Sequence, residues 1–165
     1  MFELIENFDK QLFLWLNGMH SPLLDDVMYY VSAMWIFTPF YLFLVWLLVK
    51  TLGLKKSIIA ILFIGLLIGF ADQTSTRVKH AVKRYRPTHN LEIQHQVHTV
   101  NDYKGGVYGF FSGHASNSFG IAMYLLLLLQ AKRPYIKWWL LAWAGLTSYS
   151  RIYLGVHYPS DILLG

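Results

Sequence analysis

The stretch SIIAILFIGLLIGFA, residues 57–71, holds no charged side chain and is followed at once by Asp72. It approaches the roughly 20 apolar residues that a helix needs to cross a bilayer. Lys55 and Lys56 precede it, so polar groups bracket a segment that favours hydrocarbon over water. The same reading extends outward. Residues 27–49 are uncharged and end at Lys50, 105–131 carry no formal charge, and 138–150 lie between Lys137 and Arg151. In the first of these, 35–49 is the denser half, and Pro39 either kinks the helix or marks where an interfacial turn becomes the span. A last apolar piece begins at Tyr158 and reaches only Gly165, so the final span is expected to be incomplete.

Composition agrees with a bilayer as solvent. Of 165 residues, 55% are hydrophobic, 17% aromatic and 14% charged. An ordinary soluble domain carries about 25% charged residues, and one of this length lacks the interior to hide so much apolar surface. Disorder is excluded on the same ground. The expected fold is all-α, a polytopic transmembrane helical bundle forming a single membrane domain over 1–165. Before the first span, Phe2, Ile5, Phe8, Leu12, Trp15 and Leu16 recur at helical spacing, with Glu3, Glu6, Asn7 and Lys10 opposite. This predicts an N-terminal interfacial helix, and its acidic residues are the wrong charge for a signal peptide. Lys50, Lys55 and Lys56 should share one side of the membrane with Lys132, Arg133 and Lys137, the cytoplasmic side by the positive-inside rule. The long polar segment 74–111 and the turn 151–157 then face outward. Gly65 and Gly69, four apart, have the spacing that lets helices approach closely, and Gly120 and Gly145 are read as packing positions too.

The net charge of +5 is concentrated, with Arg77, Lys79, Lys83, Arg84 and Arg86 within ten residues. On a helix ended by Pro87, Lys79, Lys83 and Arg86 share a face. Such a cluster can clamp a phosphoryl group or attract anionic lipid; nucleic acid is excluded by its position between apolar spans. Ser112 is placed to cap the next helix, whose free N–H groups with Gly113 make an anion site. His114 then stands at the helix mouth, where it can give or take a proton. His157 and Asp161 are four apart, so a short turn brings the carboxylate to one imidazole nitrogen and leaves the other as a nucleophile. Arg151 at the end of an apolar span reads as functional, and Pro159 suits the first turn of a helix. His89, His95 and His98 are loosely spaced and read as solvated loop residues, so no metal site and no cofactor is implied.

Lys79-x6-Arg86-Pro87, Ser112-Gly113-His114 and Ser150-Arg151-x5-His157-x3-Asp161 occur in order, each beside a span. The chain thereby resembles the type 2 phosphatidic acid phosphatase family, whose motifs are K-x6-R-P, P-S-G-H and S-R-x5-H-x3-D. The second motif departs at one place, where Phe111 stands for the family's proline. The resemblance implies a phosphohistidine mechanism without a metal. His157 would be the nucleophile, Asp161 its orienting partner, and His114 the acid that protonates the leaving oxygen and then activates water. Lys79, Arg86, Ser112, Gly113 and Arg151 would bind the phosphoryl oxygens. It further implies a phosphorylated membrane lipid as substrate and a bacterial inner-membrane location, with the site facing the periplasm or exterior. Undecaprenyl pyrophosphate is favoured over phosphatidylglycerol phosphate. A soluble phosphomonoester and a non-catalytic lipid-binding role stand as alternatives, and the family's haloperoxidase relatives are disfavoured by the spans.

Overall fold

The computed structural model describes residues 2–165, with the side chain of Phe2 outside the described residues. Among the described residues seven α-helices follow one another: α1 (Phe2–Asn17), α2 (Pro22–Ser32), α3 (Thr38–Leu52), α4 (Leu54–Val82), α5 (Gly113–Leu129), α6 (Ile136–Tyr153) and α7 (Pro159–Leu163). Among the described residues the only β pairing is an isolated bridge between Tyr85 and Tyr108. The protein is an all-α polytopic membrane bundle. Residues Trp35–Leu52 and α4 are each long and apolar enough to cross a membrane.

The predicted span 27–49 is in fact two helices. Ser21 caps α2 by accepting from the Leu24 amide, and the chain breaks at Met34, whose φ is +59°. Pro39 sits in the first turn of α3, where its missing N–H costs nothing. It therefore starts a helix and kinks none. The next span is longer than the apolar run: α4 continues through the polar residues to Val82, about 43 Å at 1.5 Å per residue. Residues 74–82, expected in the outer loop, are thus helical. Lys83 ends α4 in a left-handed conformation, φ +53°, so Arg84 to Arg86 leave the helix. Lys83 is exposed and does not share a helix face with Lys79 and Arg86.

The central core joins α3, α5 and α6 through Leu47, Leu48, Ala122, Leu125, Leu129 and Leu140. The α4 helix closes on α5 where a Cβ on Gly120 would lie 3.0 Å from Leu67; a Cβ on Gly65, Gly69 or Gly145 would meet nothing within 4 Å among the described residues. The outer side of α4, with Ile58, Leu62, Leu66 and Phe70, is exposed, as a lipid-facing surface must be. At one end of the bundle Lys132 Nζ donates to the Thr51 carbonyl at 3.4 Å. The two basic turns thus meet at the same end, as their charge pattern predicts.

The opposite end is built on α1. Ile5, Phe8 and Trp15 of the predicted apolar face are exposed, while Leu12 and Leu16 are half-buried. The inward stripe is a different one: Asp9, Phe13 and Asn17, at i, i+4 and i+8, are buried. Phe13 packs with Ile93, Ile152 and Tyr158. Asn17 donates to the Tyr153 carbonyl at 2.8 Å and to Ile152 and His98 carbonyls, and accepts from the His98 amide at 2.8 Å. One amide so satisfies the Tyr153 carbonyl at the end of α6, which lacks a helical donor, and adds a second donor to the Ile152 carbonyl. It ties α1, the long loop and the end of α6 into one platform.

Candidate active site

The turn from α6 to α7 explains the spacing of the third motif. Gly155 has φ +75°, and the amides of Gly155 and Val156 donate back to the carbonyls of Ile152 and Arg151 at 3.0 and 3.1 Å. This is the Schellman closure of a helix, which needs a residue that tolerates the left-handed region. A side chain at Gly155 would also strike Val97 at 2.6 Å. The His157 amide donates to the same Arg151 carbonyl at 3.2 Å. Six residues after Arg151, the chain has therefore reversed and returned His157 beside it. Tyr158 then begins α7 with Pro159 in its first turn, and Asp161 Oδ2 accepts from the Tyr158 amide at 3.0 Å. From that position the same oxygen reaches His157 Nδ1 at 3.3 Å. The x5 and x3 intervals are a helix end and a helix start joined at a histidine.

Asp161 is fully buried and does not rely on His157 alone. Arg84 Nη1 donates to its other oxygen, Oδ1, at 2.8 Å and to Ser160 Oγ at 2.7 Å, while Arg84 Nη2 donates to Asp9 Oδ2 at 2.7 Å. Asp9 also accepts from the Ser160 amide at 3.0 Å and from the Ser160 hydroxyl. The guanidinium stacks 4.2 Å over the Tyr158 ring. Arg84 and Asp9 were not singled out by sequence. In the basic cluster Arg84 looks like any other cation, and Asp9 lies 75 residues away on α1. On the other side, Gly109 lets the loop press on the pair: a Cβ there would sit 3.1 Å from Asp161 Oδ2 and 3.6 Å from His157 Nδ1.

His157 borders a cavity of about 520 Å³ that Lys79, Arg86, Gly113, His114 and Arg151 also line. The structure thus gathers residues of all three motifs around one space. Arg86 arrives on the extended segment after α4, its Nε donating to the Tyr108 carbonyl at 3.1 Å. Arg151 is steadied by the hydroxyls of Ser32 and, at 3.0 Å, Tyr103. Arg86 Nη1 and Arg151 Nε are buried with no partner among the described residues. Buried guanidinium N–H groups without acceptors are costly, and an anion in the cavity would satisfy them. Ser112 stands behind the cavity wall. It is fully buried, its Oγ accepts from the Ala115 amide, and its own amide donates to the Asp161 carbonyl at 2.9 Å. Phe111, in the place of the family's proline, accepts from Ser75 Oγ through its carbonyl at 3.2 Å. Burial pushes the His157 imidazole down to about 4, against the opposing pull of its Asp161 hydrogen bond. His157 is therefore neutral at pH 7. With Nδ1 turned to Asp161, its Nε2 is the nitrogen available to the cavity.

The loop histidines divide. His98 is not a solvated residue: its Nε2 lies 2.8 Å from Asp25 Oδ1 and its ring stacks on His20 at 3.7 Å. His89 Nδ1 meets the Thr88 hydroxyl at 3.1 Å.

A second cavity, about 360 Å³, opens between α3, α4, α5 and α6 with an almost wholly apolar lining, and Met34 borders both cavities.

Residues 57–165 match the PAP2 superfamily. The whole chain is 36% identical to the "Lipid A 4'-phosphatase" of Bacteroides thetaiotaomicron, covering 73% of that protein. It is 34% identical over 99% of its length to the "Lipid A 4'-phosphatase" of Porphyromonas gingivalis, covering 69% of it. Among solved structures, the transmembrane PAP2-type phosphatidylglycerolphosphate phosphatase of Bacillus subtilis has a TM-score of 0.68 at 20% identity, over 97% of this chain and 78% of that one. Aquifex aeolicus LpxE has a TM-score of 0.61 at 25% identity, over 93% of this chain and 85% of that one.

Proposed function

The chain belongs to the PAP2 superfamily and is an integral membrane lipid phosphatase, and from that premise we propose that it removes a phosphate monoester from a lipid of the lipid A class. The observation that carries the reading is the similarity, over nearly the whole of this chain, to two proteins named for that reaction, joined to a cavity that combines cations with two imidazoles. Undecaprenyl pyrophosphate, favoured by sequence reasoning, has no such support here. The chain works as one membrane phosphatase unit. The positive-inside rule puts the basic end at Lys132 and Thr51 in the cytoplasm and the cavity on the periplasmic side of the inner membrane.

Phosphoryl transfer asks a protein mainly for positioning and charge stabilisation. Lys79, Arg86 and Arg151 supply the charge, and Gly113 and His114, the first residues of α5, line the same space with amides that have no helical partner. Neutral His157 attacks the phosphorus through Nε2, forming an N–P bond as the ester P–O bond breaks. His114, held in its protonated form by the negative charge of the phosphate bound beside it, gives the departing lipid oxygen its proton. Asp161 compensates the charge that builds on the imidazole. In the second half His114 takes a proton from water, whose oxygen displaces His157 and releases inorganic phosphate. General acid–base help of this kind contributes about 10² to 10⁴-fold, so the cationic clamp must supply much of the rest. The apolar cavity past Met34 gives an acyl chain somewhere to lie while its headgroup is in the site.

The test is phosphate release in detergent from lipid A, undecaprenyl pyrophosphate, phosphatidylglycerol phosphate and a soluble monoester, each with and without EDTA. Lipid A should be turned over fastest, with EDTA making no difference. Preference for another lipid overturns the substrate reading, and a loss restored by one divalent ion overturns the metal-free mechanism. The pH profile of kcat/KM gives a second check. A nucleophile held neutral down to about 4 keeps its activity at pH 5.5 and loses it only as the pH falls through about 4. After correction for the substrate's own ionisation, an acid limb near 6.5 would contradict the His157 assignment.

A further inference from the structure

The face of α4 that borders the two cavities changes character along its length. Ile61, Ile64 and Ile68 line the apolar one; Asp72, Ser75 and Lys79 line the catalytic one. These positions recur every three or four residues and so form one stripe. The facing stripe of α5 runs the opposite way, with His114 and Asn117 at the catalytic cavity and Ile121 and Leu125 at the apolar one. Both helices therefore show the same order with depth. Cations and imidazole come first, then an acid and an amide, then hydrocarbon.

The middle layer has no part in the mechanism above, and its charge is of the wrong sign for a phosphate. Asn117 Nδ2 donates to Asp72 Oδ1 at 2.8 Å, the one hydrogen bond of the Asp72 side chain among the described residues. Asn117 Oδ1 is buried with no partner among them. Both residues line the cavity, and what the pair leaves unpaired among the described residues is a set of acceptors: the second carboxylate oxygen and the amide oxygen. A carboxylate beside an anionic substrate repels it unless donors intervene, and a buried amide oxygen without a donor costs about 1–3 kcal/mol. Hydroxyl and amide N–H groups on the ring that carries the phosphate would satisfy both. A second phosphoryl group at that depth would face Asp72 with like charge.

Resting on the lipid phosphatase reading, we infer that Asp72 and Asn117 form a headgroup subsite that accepts hydrogen bonds from the hydroxyl and N–H groups of a phosphorylated sugar, one layer below the phosphoryl clamp. The pair sets specificity: it favours a sugar-based lipid over glycerol-based and pyrophosphate lipids. Sites built to hydrogen-bond a substrate group discriminate strongly against analogues that lack it.

The experiment measures kcat/KM for lipid A and for phosphatidic acid, which has no hydroxyl-bearing ring, in the parent protein and in Asp72→Ala, Asp72→Asn and Asn117→Ala. The ratio of the two values should fall about tenfold to a hundredfold in the alanine variants, the range for a lost hydrogen bond to a charged or buried group. Phosphatidic acid turnover reports that each variant is folded. An unchanged ratio in variants that still turn over lipid A overturns the subsite and leaves the lipid A reading standing. An equal loss on both substrates assigns the pair to general structure and overturns the subsite as well. A parent protein that hydrolyses phosphatidic acid and leaves lipid A untouched overturns both.

Discussion

His157→Ala should lower the rate of phosphate release by about 10⁴-fold or more, the scale on which removal of a covalent nucleophile acts. The size follows from what is left. Lys79, Arg86 and Arg151 still bind the phosphoryl group, but water must attack it directly, with no imidazole to share the step. The fold should persist, because Asp161 keeps Arg84 at 2.8 Å and the Tyr158 amide at 3.0 Å when its imidazole partner is gone. Substrate binding then survives the loss of turnover. Three measurements check this: phosphate release, equilibrium binding of the lipid, and trapping of an acid-labile phosphoryl-enzyme from radiolabelled substrate. The parent should yield the labelled intermediate and the variant none. Activity within about tenfold of the parent would remove His157 from the nucleophile's role.

The third motif was legible in the sequence because its intervals are local geometry. A Schellman turn at Gly155 and a helix start at Tyr158 involve neighbours in the chain, and residue spacing encodes both. The spans were legible for a similar reason, since the absence of charge over 57–71 is itself the physical requirement for lying in hydrocarbon. Helix ends were less so. Lys83 stops α4 in a left-handed conformation without the glycine or asparagine that usually marks one, so Arg86 looked helical. Met34 likewise divides an unbroken apolar run. Gly65 and Gly69 have the right spacing for close helix contact, but α5 packs against α4 at Gly120 instead. The least legible residues are those whose meaning depends on distant partners. Asp72 needs Asn117, 45 residues on, and Asp9 needs Arg84 and Ser160, on the loop after α4 and on α7. No local pattern announces such pairs. They appear once the helices are assembled.

Arg84 gives the second large effect: Arg84→Ala should lower kcat about 10² to 10³-fold while KM changes little. The side chain does not line the cavity, so it acts through Asp161, as a positioning residue. Its guanidinium bridges two carboxylates, Asp161 at 2.8 Å and Asp9 at 2.7 Å. Without it, Asp161 is left buried with one oxygen unpartnered and a second acid near by. The cheapest relief is for Asp161 to rotate or take up a proton, and either change releases the His157 ring from its tautomer. A displacement of about 1 Å in a reacting group is enough to cost 10²-fold. Breaking a fully buried ion pair costs about 3–5 kcal/mol of stability. Arg84 is 22% exposed, so water reaches it and the loss should fall below that range. A role confined to stability would lower the thermal midpoint and leave the kcat of the folded fraction intact. A positioning role predicts the split in kcat, and it also predicts rescue. Arg84→Lys restores a charge near Asp161 without the fork that reaches Asp9 and Ser160 together, so it should recover part of kcat. Asp9→Asn tests the far end of the chain of contacts, because it removes the acid from α1 that holds the other arm of Arg84. A smaller fall in kcat there would show that α1, through one carboxylate, helps to aim the nucleophile.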